Sequence, residues 1–163
     1  MVVAYIEQGP RQAETPSRPL HWTAVRWSDG AVFDEVATTG APMGGDFVEG
    51  LGLDRTELQA GRPPDEVAAD FRAFCGGAMT LWCWNRTTLG FLNELELEGT
   101  PLRLKPIWTN HLGTRFVSHL REIVAELDLG PVAPLARGRA GRRLACTAAM
   151  ARHLQELRRA AVV

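Results

Sequence analysis

Few residues of this 163-residue chain have the type and spacing that chemistry needs. Glu7 closes the apolar run VVAYIE. A carboxylate at a strand end can ligate a divalent ion, or it can remain a hydrogen-bonded polar group with Tyr5, Asn85 or a turn amide as partner; the second reading is the expected one. Cys146 is a nucleophile only where a base or a lowered pKa activates it. No histidine is expected beside it: His111 and His119 precede its helix, His153 lies two turns further along, and His21 begins a strand with no ligand partner in sight. Cys146 is therefore expected to be a small buried residue in an alanine-rich helix.

Tyr5 and Trp84 offer either a platform on which a nucleobase stacks, worth ~1–3 kcal/mol per base, or large side chains that fill space; filling is the expected role. Trp82 points to the same sheet face as Trp84 by the strand's period of two and belongs to the core. Arg137, Arg139, Arg142 and Arg143 leave two readings open. They contact phosphates through bidentate hydrogen bonds, or they form a solvated loop that pairs with the acidic remainder of the protein or with a partner. Gly44 and Gly45 are not followed by Gly-Lys-Ser/Thr and make no phosphate loop.

Composition narrows the classes. With 45% hydrophobic residues the chain is expected to be one globular domain, 1–163, with a real core. The net charge of -1 gives no general attraction to nucleic acid or anionic membrane. The charge is uneven, however: from Arg137 onwards seven arginines stand against Glu156 alone. Three cysteines without CxxC spacing argue against a zinc site or disulfide framework and for a reducing cytoplasm. MVVAYIEQGP lacks a basic n-region and is too short for a signal h-region, and no stretch approaches the ~18 apolar residues of a membrane span.

The elements that must position these residues follow from periodicity. Val2 to Ile6 reads as a buried strand ended by Gly9-Pro10, and RQAETPSRPL (11–20) as a loop. HWTAVRW and AVFDEVATT flank Asp29-Gly30, a hairpin signal. Residues 40–52, rich in glycine, are expected to be irregular. Asp54 and Glu57 have capping-box spacing for a short helix. A longer helix runs from Pro63-Pro64 to Gly76-Gly77 with Val67, Ala68, Phe71 and Phe74 on one face. MTLWCW predicts a central strand, with a helix capped by Thr87 or Thr88 after it. LRLKPIW predicts a weaker edge strand, since it contains Pro106. Helices are expected over Phe116–Leu127 and Arg143–Ala160, joined by an arginine-rich loop at about 137–143. Strands alternating with helices after a hairpin imply an α/β fold with a mixed sheet.

The order and spacing of several phrases resemble the DEDDh 3'–5' exonucleases of the proofreading-subunit type, across nearly the whole chain. VVAYIE resembles the first strand, which carries Asp-x-Glu in that family. AVRWSDGAVFDEVATTG resembles the hairpin after it, and FVEGLGLDRTELQAGRPPDEVAADFRAFCG the helix pair. WNRTTLGFLNEL resembles the second motif, His-Asn with an aspartate a few residues on. GRRLACTAAMARHLQEL resembles the third, His-x4-Asp. The resemblance implies an RNase H-like fold, with carboxylates around two divalent ions and a histidine as general base. On these positions the chain keeps Glu7 and Asn85. It has Tyr5 for the first aspartate, Trp84 before Asn85, Thr88 (or Thr87) for the second aspartate, Gly141 for the histidine and Cys146 for the third aspartate. Glu94 falls about 240° round its helix and ~9 Å beyond Thr88, and Glu156 lies about 15 Å past Cys146. Neither replaces a missing ligand.

The expectation is a catalytically inactive exonuclease-like protein with no metal or cofactor. It would act as a binding or interaction module in a nucleic-acid-processing assembly, with single-stranded nucleic acid or a protein as partner and no membrane. Self-association as a homodimer is implied by the resemblance alone. Two alternatives stand beside it: a divergent active exonuclease that uses Glu7 and Mg²⁺ or Mn²⁺, and a structural scaffold that binds no nucleic acid.

Overall fold

The computed structural model describes residues 1–11, 17–113 and 119–161. Its centre is β1 (Val2–Gln8), a strand without a charged side chain until Glu7, as a strand covered on both faces requires. Around it lie β2 (Pro19–Arg26), β3 (Val32–Val36), β4 (Thr80–Cys83) and β5 (Thr100–Arg103), in the order β3-β2-β1-β4-β5. The hairpin strands pair antiparallel, and β4 and β5 join parallel on the other side of β1. The mixed sheet matches the expectation, although β1 rather than β4 is the middle strand.

Alternation along β1 sends Val3 and Tyr5 to one layer and Val2, Ala4 and Ile6 to the other. The Tyr5 face is covered by α5 (Leu104–His111), α6 (Leu120–Glu126) and α7 (Gly138–Ala160), with Trp108, Ile123 and Leu144 in the core. The opposite face carries α3 (Pro64–Cys75) and α4 (Arg86–Glu94), through Phe71 and Leu92. Two short helices, α1 (Gly45–Leu51) and α2 (Arg55–Gln59), close the end of the hairpin over Leu20 and Val36. Among the described residues no helix is long and apolar enough to cross a membrane.

Several local expectations are corrected. The segment 40–52 contains α1, because Val48 and Leu51 bury against the hairpin and outweigh the poor helix propensity of Gly50. Gly52 then ends the helix at φ 66. KPIW belongs to α5, not to the edge strand; Pro106 sits in the first turn, where no helical N–H is missed. Asn85, rather than either threonine, caps α4, its Oδ1 accepting from the Thr88 amide at 2.7 Å. Residues 116–118 of the expected sixth helix, and 12–16 of the expected loop, lie outside the described residues.

The last correction matters most. Helix α7 begins at Gly138, so residues 138–143 form its first turns rather than the expected arginine-rich loop, with Arg137 as N-cap. Gly141 is accommodated there because the preceding segment folds back on the helix. A Cβ at this position would overlap the Ala136 carbonyl.

Candidate functional site

Glu7 follows Tyr5 onto the α7 face and is 5% exposed. A buried carboxylate is costly unless it is paired, and α7 supplies the pairs. Arg139 grips it in a bidentate fork, Nε to Oε1 at 2.9 Å and Nη2 to Oε2 at 3.1 Å. One helical turn later, Arg143 donates from Nη1 to Oε1 at 3.1 Å and to the Tyr5 hydroxyl at 2.7 Å. The partners expected for Glu7 (Tyr5, Asn85 or a turn amide) are thus replaced by two guanidinium groups. Burial, reinforced by the Glu7 charge, pushes the Tyr5 hydroxyl above its usual pKa, against the opposing pull of Arg143. Tyr5 therefore stays protonated near neutral pH.

The other motif positions serve packing. Thr88 is fully buried, its Oγ1 accepting from the Ile6 amide at 3.1 Å and donating to the Ile6 carbonyl at 3.3 Å. It ties α4 to β1 past Ala4–Cys83, the last pairing of β1 with β4. Tyr5 and Trp84 are both buried, as filling requires and an open stacking platform does not. Cys146 is buried too, and burial pushes its thiol above the ordinary range. His119, which was not expected near it, lines the same cleft.

That cleft has a volume of about 610 Å³. Tyr5, Trp84, Asn85 and Cys146 contribute to it, and five basic side chains wall it: Lys105, Arg121, Arg139, Arg142 and Arg143. Lys105, Arg121 and Arg142 are exposed to solvent. Of the residues singled out from sequence, Glu7, Thr88, Gly141 and Arg137 do not line it. Arg137 instead reaches the hairpin, where its Nε meets Asp34 Oδ2 at 3.1 Å and its Nη1 meets Glu57 at 3.2 Å. Asp34 also accepts from His21 Nε2 at 2.7 Å, the partner that His21 lacked in sequence. Burial would raise the Asp34 pKa, but the hydrogen bonds from His21 and Arg137 outweigh it and hold the carboxyl well below the usual range.

Sequence alone does not single out Lys105 or Arg121: the first falls in the segment expected to be an edge strand, and the second on a helix with no link to the corner. Their signal, a basic residue near the start of α5 and of α6, becomes readable only once both helices are known to share the layer on the Tyr5 face.

No family model matches the chain, and no curated protein matches it. Among solved structures, the chain is similar to cell-death related nuclease 4 (CRN-4), with a TM-score of 0.66 at 12% identity. The match covers 94% of this chain and 63% of that one. The fold is RNase H-like.

The divalent ions implied by the resemblance do not fit the residues present. Both oxygens of Glu7 are held by guanidinium groups, which would repel a cation beside them. Tyr5 is a protonated phenol, the Thr88 hydroxyl is committed to Ile6, and a side chain at position 141 has no room. Among the described residues no three of His, Cys, Asp and Glu gather as a metal-holding group.

Proposed function

We propose that this protein is an exonuclease-fold module that holds nucleic acid without hydrolysing it. The carrying observation is the Arg139–Glu7–Arg143 cluster: the one motif carboxylate kept from the resemblance is buried beneath two fixed positive charges. The fold brings the RNase H-like scaffold, and the likeness to cell-death related nuclease 4 supports a nuclease-related ancestry. The basic wall supplies what phosphate recognition needs, charge-assisted donors in fork geometry.

Arg142 is the side chain best placed to test this. It is exposed in the cleft, and among the described residues no acidic side chain pairs with it. Binding of labelled single-stranded DNA and RNA, followed by fluorescence anisotropy, is expected to weaken with salt and with Arg142→Ala. Absence of binding even at low salt would overturn the reading in favour of a scaffold role.

A further inference from the structure

The basic cleft does not end at Lys105. A second groove of about 470 Å³ shares Asn85 and Lys105 with it and continues past Arg86, Arg103 and Asn110. Arg86 is the first residue of α4 and Arg103 the last of β5, so both stand at the edge where the parallel strands β4 and β5 end. Neither groove has an aspartate or glutamate in its wall among the described residues. A third hollow, of about 500 Å³ between the hairpin turn and α7, differs: Glu156 stands among its arginines, and it shares no residue with the other two.

We propose that the two joined grooves form one cationic track that takes successive backbone phosphates of a single-stranded polynucleotide. Arg121 and Arg142 contact the strand on one side of Lys105, and Arg86 and Arg103 on the other. The proposal rests on the nucleic-acid reading above and extends it from a single phosphate site to a path. Each groove lies within the roughly 300–1,000 Å³ that holds a ligand of nucleotide size. A flexible single strand can follow a path of two such grooves, with a basic groove tracking its backbone. Asn85, Thr109 and Asn110 add uncharged donors and acceptors along the path, which suits a sequence-tolerant groove that follows the backbone. The fixed cations are side chains, so binding requires no divalent ion.

The test uses fluorescein-labelled oligothymidylates of two and of ten nucleotides, titrated in EDTA over a series of salt concentrations. For single strands, log affinity falls against log salt with a slope of about −0.7 per phosphate neutralised. Arg86→Ala combined with Arg103→Ala is expected to weaken the ten-nucleotide ligand about tenfold and flatten its slope by about 1.4, leaving the dinucleotide unchanged. Arg142→Ala is expected to weaken both ligands. Arg86→Ala alone alters an exposed side chain and does not endanger folding; it should give about half the slope change.

An unchanged slope for the longer ligand in the double variant overturns the track while leaving the nucleic-acid reading intact. No binding of either oligonucleotide at low salt removes both. Equal binding of a ten-base-pair duplex overturns the single-strand assignment. Equal binding of a poly-glutamate peptide, with the same sensitivity to Arg86→Ala, overturns the assignment to nucleic acid.

Discussion

Removing Arg139 would leave Glu7 buried with half of its clamp. Because the guanidinium is partly exposed, the expected loss is about 2–3 kcal/mol, somewhat less than for a fully buried pair. In urea titrations of both variants, Arg142→Ala should stay within about 0.5 kcal/mol of the parent, since it alters an exposed side chain. Equal destabilisation by the two variants would contradict the assigned roles. Glu7→Gln removes the negative charge beneath the basic wall and should strengthen oligonucleotide binding several-fold. The cysteines allow another check at this scale. Burial pushes the thiols of Cys75 and Cys83 up to about 12, and Cys146 is raised as well. A thiol reagent at pH 8 should therefore label the folded protein slowly and all three cysteines quickly in urea. Glu7 was legible in the sequence as a residue of interest. Its partners were not, because they lie more than a hundred positions away and sequence alone assigns no side chain to a distant carboxylate.

Two junctions between elements carry predictions of their own. Alanine in place of Gly141 would gain helix propensity, but its methyl group must displace the Ala136 carbonyl. Backbone overpacking of this kind costs about 1–3 kcal/mol or more, so Gly141→Ala should lower the urea midpoint; a raised midpoint would mean that the fold-back is absent. The second junction joins β3 to the start of α7 through Asp34, His21 and Arg137. The Asp34 pKa is lower folded than unfolded, so its contribution is complete above the ordinary carboxylate pKa and is lost as pH falls towards the folded value. The stability gap between the parent and Asp34→Asn should be widest above about pH 5 and shrink below about pH 4. A gap independent of pH would contradict the pairing. Elements with local signals were legible: the Asp-Gly hairpin, the Asp54–Glu57 capping box and the Pro-started α3. Those held by tertiary contact were not. Helix α1 contradicts its own glycine content, and α7 starts at Gly138, where the chain before it folds back onto Gly141.

Across the whole molecule, a net charge of -1 hides a sorting of charge. Of the seven arginines after residue 136, Arg137 serves the hairpin, Arg139 and Arg143 hold Glu7, Arg142 faces solvent with Lys105 and Arg121, and Arg152, Arg158 and Arg159 lie further along α7. The sheet class and the helical layers were legible because β1 is apolar on both faces and the helices keep their period. The cleft was legible only in part, because Lys105 and Arg121 reach it through the packing of α5 and α6 in the α7 layer, which no local pattern encodes. The central claim is that this scaffold retains nucleic acid and leaves it whole. The most direct measurement follows an end-labelled single-stranded oligonucleotide with excess protein in Mg²⁺, in Mn²⁺ and in EDTA, scoring length and bound fraction together. The account predicts full-length oligonucleotide throughout and a bound fraction that EDTA does not lower. Stepwise shortening in Mg²⁺ or Mn²⁺ that Glu7→Gln abolishes would contradict it.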